Sequence, residues 1–111
     1  MARKLGESIT LDFTTHNPAT GQVQDADFLP TSEVFENDTD VAILTPVVTK
    51  RVGALGNYRL TFVASTANGF EVDKAYNVIV SATVAGVTAK ARVASFNLDA
   101  AVLPAAAHFK V

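Results

Sequence analysis

The sequence predicts a small all-β domain, for three reasons. Apolar and polar residues alternate over several segments, which is the period of a half-buried strand. Turn-forming residues separate these segments at intervals of roughly 8–12 residues. No stretch of ten or more residues has the apolar spacing of an amphipathic helix. With 111 residues, 49% of them hydrophobic, the chain fits one domain with one core.

The first predicted strand covers residues 7–13, where apolar side chains occupy every second position. The segment Asn17–Gly21 follows as a predicted turn. Pro18 fixes φ at the second position of this turn, and Gly21 adopts a positive φ at no steric cost. The chain is therefore expected to reverse direction here.

The middle of the chain is less periodic and more acidic, since residues 22–40 hold six of the eleven Asp and Glu residues. A short strand is predicted at Glu33–Glu36. Another is predicted within Val47–Val52, before the glycine-containing turn of residues 53–57.

The second half predicts its strands more clearly. Apolar residues alternate with other residues over 58–64 and again over 76–84. Ala85-Gly86 then predicts a tight hairpin into a strand over 87–93. After Val93 the apolar positions change parity, which predicts a β-bulge at this point.

Seven or so short strands of this kind predict a sandwich or a barrel. Gly56-Asn57-Tyr58 opens one strand, Tyr76 lies at the start of the next, and a tight hairpin leads into the last. This order favours an immunoglobulin-like antiparallel β-sandwich, with a jelly roll as the alternative. The chain has no cysteine and no tryptophan, so the Cys…Trp…Cys pattern of antibody domains is absent.

Composition also argues against several classes of partner. Nine Lys and Arg against eleven Asp and Glu leave a net charge of −2, which gives no general attraction for nucleic acid or anionic lipid. The basic start of the chain is followed by Glu7, Thr10 and Asp12 instead of an apolar signal-peptide segment, so secretion by that route is not expected. No apolar run approaches the length of about 18 residues that a membrane helix needs. A soluble protein is expected.

The sequence offers little for catalysis, and no enzyme activity and no cofactor are expected. His16 and His108 are the two histidines, and neither has a second ligand at metal-binding spacing. No serine lies in a Gly-x-Ser-x-Gly turn, and no glycine pattern predicts a phosphate-binding loop. The residues 36–40 carry oxygen ligands that suit calcium, but they lack the glycine and distal Glu of an EF-hand loop.

Six residues are candidates for contacts with a protein partner. Asp38 and Asp40 lie in the acidic loop, which is either plain solvated loop or a contact for a basic patch. Lys90 and Arg92 share the outer face of the last strand, where they meet an acidic partner or simply discourage edge pairing. The other two, Leu103 and Phe109, belong to an apolar tail.

The predicted domain organisation has an N-terminal arm at residues 1–6, the sandwich at residues 7–99 and a C-terminal arm at residues 100–111. Pro104 interrupts the Ala-rich C-terminal segment and argues against a helix there. So apolar a segment is expected to be covered. The two main alternatives are that it packs over the open edge of its own domain or docks on a neighbouring subunit, and plain disorder is the third.

Several short motifs lie at the predicted turns and core positions. They are Phe13-x-Thr15-x-Asn17-x-x-Thr20-Gly21, Pro30-x-x-x-Val34 followed by Asn37-x-Thr39, Gly56-Asn57-Tyr58, Gly69-Phe70 leading to Tyr76-x-Val78-x-Val80, Val84-x-Gly86, and Val93-x-x-Phe96-x-Leu98. Together these motifs resemble one family, the small accessory virion proteins of tailed bacteriophages with immunoglobulin-like folds.

The resemblance implies a structural protein of the virion, assembled in the host cytoplasm. Capsid decoration suits a single small domain with arms at both ends, and its partners would be the major capsid protein, other virion proteins and further copies of itself. The alternatives are a tail or neck protein, or a bacterial carbohydrate- or protein-binding module. No catalytic residue, metal or cofactor comes with the resemblance.

Overall fold

The structure is a computed structural model that describes residues 2–100. Within this range the chain forms eight β-strands and a single 3₁₀ turn at Thr66–Asn68. The strands are β1 (Ala2–Lys4), β2 (Ser8–Thr14), β3 (Thr31–Glu36), β4 (Ala42–Leu44), β5 (Val48–Lys50), β6 (Asn57–Val63), β7 (Ala75–Val84) and β8 (Val87–Asp99). The prediction of an all-β chain is confirmed.

The strands form two sheets, an arrangement compatible with a β-sandwich. The larger sheet has the order β1-β8-β7-β3-β4, and the smaller one has the order β2-β6-β5. Neighbouring strands are antiparallel except for β1 and β8, which are parallel. The predicted strand within Val47–Val52 is the short β5.

One hydrophobic core is built from both sheets. Ile9, Leu60 and Phe62 come from the smaller sheet, and Val34 and Val78 come from the larger one, and all five are buried. Alternation along each strand places these side chains on one face and leaves the other face to solvent. An aromatic cluster, with ring centroids 4.8 to 6.4 Å apart, completes the core and consists of Phe62, Phe70, Tyr76 and Phe96.

The hairpin of β7 and β8 has the tight turn and the bulge that the sequence predicts. Ala85 and Gly86 have φ values of 50° and 79°, as a two-residue hairpin loop of type I′ requires. The pairing register shifts because Val78 lies opposite Ala94 while Ile79 lies opposite Arg92, so Val93 is the extra residue. The bulge keeps apolar side chains on the inner face of β8 on both sides of Val93.

Residues 2–4, which belong to the predicted N-terminal arm, form strand β1 of the chain's own sheet. Ala2–Lys4 pairs with Asn97–Asp99, and the Leu5 amide donates a 2.8 Å hydrogen bond to the carbonyl oxygen of Asp99. Ala-Arg-Lys has no apolar alternation, so its pairing partner is not visible in the sequence. Residues 101–111, nearly all of the predicted C-terminal arm, lie outside the described residues.

Candidate protein-binding site

The connections between strands gather at two ends of the domain. The loop end consists of residues 24–30, 51–56 and 85–86. The acidic end consists of residues 36–41 and 71–74. Strand β3 runs from the first end to the second, which places the two groups of loops apart.

Asp27 joins two of the loops at the loop end. Its carboxylate accepts hydrogen bonds from the amides of Ala85 at 3.0 Å and Gly86 at 2.9 Å. Its own amide donates to the carbonyl oxygen of Thr83 at 2.8 Å. Residues 24–30 are therefore fastened to the tip of the β7–β8 hairpin.

Asp25 connects residues 24–30 to the third loop of this end, residues 51–56. Its Oδ1 accepts a 2.6 Å hydrogen bond from the Gly56 amide and lies 3.5 Å from Lys50 Nζ. The Tyr58 hydroxyl accepts a 2.9 Å hydrogen bond from the Ala26 amide. These contacts satisfy backbone donors that have no partner in a sheet, and they hold the three loops together as one surface.

Four large apolar side chains are exposed on this surface. The exposed fractions are 65% for Phe28, 55% for Leu29, 97% for Val52 and 63% for Leu55. The loops beneath them are fixed by hydrogen bonds between segments, so the exposure is built into the fold. Exposed apolar side chains that gather in one area are typical of surfaces that contact another protein.

An apolar groove lies beside the loop end, between the end of β2 and the outer half of the β7–β8 hairpin. It has a volume of about 190 Å³. Phe13, His16 and Pro18 line one wall. The other wall is the inner face of the hairpin, formed by Val80, Ala82, Val84, Val87, Ala89, Ala91 and Val93, and Lys90 also lines the groove.

The predicted partner contacts Asp38 and Asp40 lie at the acidic end, in the loop between β3 and β4. Both side chains are exposed. The Thr39 amide donates a 3.0 Å hydrogen bond to the carbonyl oxygen of Glu36, which closes the turn without either carboxylate. Asp38 and Asp40 therefore remain available to solvent or a partner.

Lys74 forms ion pairs with two glutamates at the acidic end. Its Nζ lies 3.0 Å from Glu36 Oε1 and 3.4 Å from Glu71 Oε2. These hydrogen bonds, first to Glu36 and then to Glu71, raise the pKa of Lys74 above its ordinary value. Nearby, Arg3 lies 2.7 Å from Glu7 and its hydrogen bond lowers the pKa of that carboxyl.

Lys90 and Arg92 lie on the outer face of the larger sheet, as the sequence predicts. Lys90 pairs with Ser81 and Arg92 pairs with Ile79 across the hairpin. Asp40 lines a shallow groove that also contains Ile79. Asp40 and Arg92 are thus both associated with Ile79, the first through this groove and the second through strand pairing.

Of the remaining candidate residues, His16 is the one that lies within residues 2–100. Leu103, Phe109 and His108 lie outside the described residues. His16 is exposed and forms an isolated bridge with Val23. In residues 2–100, no three His, Cys, Asp or Glu side chains are grouped in a way that could hold a metal ion.

Sequence reasoning missed the loop end. Asp25 and Asp27 looked like members of one acidic loop with Asp38 and Asp40, but their carboxylates bond to turns 31 and 58 residues away along the chain. The available signal was the pair Phe28-Leu29, two large apolar residues in a segment without strand periodicity. Such a pair either enters the core or is exposed for binding.

No family model matches this sequence, and no curated protein matches it significantly. Within the described range there is no helix long and apolar enough to cross a lipid bilayer. Function therefore has to be argued from the surfaces themselves.

Proposed function

We propose that the two-sheet fold is an immunoglobulin-like sandwich. The strand orders β2-β6-β5 and β8-β7-β3-β4 match the B-E-D and G-F-C-C′ orders of immunoglobulin-like domains. In this correspondence β1 is an edge strand beside β8, and the loop end joins strands B to C, D to E and F to G. These are three loops at one end of the sandwich.

Tyr76 supports the same assignment. It lies near the start of β7, the strand equivalent to F, and its ring is buried. Its hydroxyl accepts a 2.9 Å hydrogen bond from the Glu71 amide and contacts the Glu71 carbonyl oxygen at 3.4 Å. A tyrosine at this corner, bonded to the backbone a few residues upstream, is typical of immunoglobulin-like domains.

We further propose that the protein is a structural component of a bacteriophage particle, a capsid decoration protein that binds the head shell through its loop end. The observation that carries the proposal is the set of four exposed apolar side chains, Phe28, Leu29, Val52 and Leu55, on loops fixed by hydrogen bonds. A pre-ordered surface loses little conformational freedom on binding, which favours affinity.

The chemistry of this surface favours a protein partner over a sugar. Phe28 is the one aromatic among the large exposed apolar side chains of residues 2–100, whereas sugar-binding modules usually present several aromatic rings. Apolar side chains surrounded by polar loop backbone are typical of the centre and rim of a protein interface. The head shell as partner comes from the sequence resemblance.

The class of protein is tested by mass spectrometry of particles purified by density gradient from the strain that carries the gene. The chain is expected in the particle band at a fixed ratio to the major capsid protein. Its presence only in the fraction without particles would contradict a virion role.

The binding surface is tested by adding purified full-length protein to particles that lack it and measuring co-sedimentation. The variant F28D/L29D is expected to lose at least tenfold in affinity, because two carboxylates replace the centre of the contact. The matched control is V41D at the acidic end, where the native valine is 73% exposed. Equal binding by F28D/L29D and V41D would show that the loop end is not the contact.

A further inference from the structure

Strand β8 has an edge that is only partly paired within residues 2–100. On its side facing away from β7, β1 pairs with Asn97–Asp99 alone. Residues 87–95 therefore present backbone donors and acceptors along that edge. An open strand edge is a template for pairing with another strand.

The same part of β8 also presents an uncovered apolar face. Val87, Ala89 and Ala91 point to the groove and are exposed. The groove volume of about 190 Å³ is smaller than the roughly 300–1,000 Å³ of ordinary small-molecule pockets. Its size suits single side chains of a chain laid along β8.

Residues 103–111 have the sequence pattern of such a strand. From Leu103 onward the odd-numbered positions are all apolar, namely Leu103, Ala105, Ala107, Phe109 and Val111. The polar residues His108 and Lys110 occupy even-numbered positions. A strand with this pattern has one apolar face, because side chains alternate. Pro104 is tolerated in an edge strand.

Within one chain, this segment is too short to run along the whole groove. Strand β8 has 13 residues, so about 40 Å separate Asp99 from Val87 at a rise of roughly 3.3 Å per residue. Residues 101–111 span at most about 36 Å, and they would first have to reverse direction and pass β1. In the same chain, only their last residues would reach the level of Ala91.

We propose that residues 103–111 of one copy pair with the free edge of β8 in a second copy and insert their odd-numbered side chains into its groove. The added strand supplies backbone partners for β8, and Leu103 and Phe109 supply the apolar anchors. This is strand addition of the kind seen in peptide recognition. A reciprocal exchange between two copies forms a closed dimer. The proposal does not depend on the head shell as partner.

The charges predict how this association responds to salt. Lys90 and Arg92 lie on or next to the docking edge, and Lys110 occupies one of the even-numbered, polar positions of the segment. These groups repel one another, and salt screens the repulsion. Association is therefore expected to tighten as sodium chloride is raised from 50 to 500 mM, whereas contact between the acidic loop and a cationic surface would weaken.

The test compares full-length variants by analytical ultracentrifugation between 1 and 200 µM. A91R places a long cation in the groove at an exposed position, and F109D removes an anchor from the segment. The matched control is T88R, which adds the same charge on the opposite, exposed face of β8. Circular dichroism checks that all three retain the β-fold.

The wild type and T88R are expected to have twice the chain mass of 11.7 kDa at high concentration, while A91R and F109D remain at the chain mass. A peptide of residues 101–111 is expected to bind F109D, whose groove is intact, and not A91R. A monomeric wild type at 200 µM, or a dimer unaffected by both substitutions, would overturn the proposal. Because no phage component is present, either result leaves the head-shell proposal to its own test.

Discussion

The two ends of the domain use the same type of residue in different ways. At the loop end, Asp25 and Asp27 accept hydrogen bonds from backbone amides of other loops, and large apolar side chains are left outside. At the acidic end, Asp38 and Asp40 are exposed, and the turn from Glu36 to Thr39 is closed by a backbone hydrogen bond. The carboxylates at the loop end hold neighbouring loops in place, whereas Asp38 and Asp40 at the acidic end are themselves the exposed groups.

This difference teaches that a run of acids in the sequence does not by itself mark a binding surface. The acids that matter most for the loop end are those that accept hydrogen bonds from other loops, because they fix where the apolar side chains lie. Substituting Asp25 or Asp27 at the loop end should therefore cost stability, whereas substituting Asp38 or Asp40 at the acidic end should cost little.

The largest effect is expected at Gly56. Its φ is +66°, and an added Cβ would lie 2.6 Å from Val23 Cγ1 and 3.0 Å from the Thr15 carbonyl oxygen. The substitution G56A should lower the free energy of unfolding by about 3 kcal/mol, through left-handed strain and the clash together. Chemical denaturation measures this change in the free energy of unfolding.

The control for this prediction lies in the same turn. Gly53 has a similar φ of +78°, but an added Cβ would meet no atom within 4 Å. G53A should cost about 1 kcal/mol, from backbone strain alone. An equal loss of unfolding free energy in G56A and G53A would mean that Gly56 does not pack against Val23 and Thr15 as described.

The next effect separates the two kinds of aspartate. D27A removes two hydrogen bonds from the exposed amides of Ala85 and Gly86 to a charged carboxylate and should cost about 2 kcal/mol. D38A removes an exposed carboxylate and should change stability by less than about 0.5 kcal/mol. Thermal unfolding of both variants checks the comparison, which fails if D38A is as destabilising as D27A.

A smaller effect is expected from two core tyrosines, one at each end. Tyr58 bonds to the Ala26 amide and Tyr76 bonds to the Glu71 amide, both at 2.9 Å. Y58F and Y76F keep the buried rings and lose these bonds, so each should cost about 1 kcal/mol. Amide exchange should then rise at Ala26 in the first variant and at Glu71 in the second; a rise at the wrong end in either variant would refute the assignment.

The smallest effect is the pH dependence of the exposed ion pairs near the acidic end. The hydrogen bond from Arg3 lowers the pKa of Glu7 below 4.5. A depressed carboxyl pKa stabilises the fold above pH 4.5, and that contribution is lost as the pH falls through the folded-state pKa. The raised pKa of Lys74 acts in the opposite sense, since its contribution is present below pH 10.5 and is lost as the pH rises through its folded-state pKa.

Substitution separates these two contributions. E7Q should reduce the loss of stability on acidification, and K74M should reduce the loss at alkaline pH. Thermal midpoints across the pH range measure both. If E7Q loses as much thermal stability at acidic pH as the wild type does, the pair of Glu7 with Arg3 contributes nothing to stability.

The features that the sequence predicts well depend on neighbours along the chain. The alternation over 76–84, the Ala85-Gly86 turn and the parity change at Val93 are local patterns, and the structure confirms them. β8 extends past the predicted strand to Asp99 because the bulge restores the apolar phase at Phe96.

The features that the sequence does not predict depend on distant partners. β1 is three residues long and is defined by pairing with Asn97–Asp99. The roles of Asp25 and Asp27 come from amides far along the chain, and in the sequence only the neighbouring pair Phe28-Leu29 distinguishes their segment from that of Asp38. The candidate site at the loop end is therefore a product of tertiary structure.

Hydrogen exchange of the full-length protein, free and bound to particles, tests the central claim most directly, because it reports on both ends in one experiment. Binding through the loop end should slow exchange in residues 26–30 and 51–56 and leave residues 37–41 unchanged. Protection confined to residues 37–41, with the loop end exchanging as in the free protein, would contradict the account.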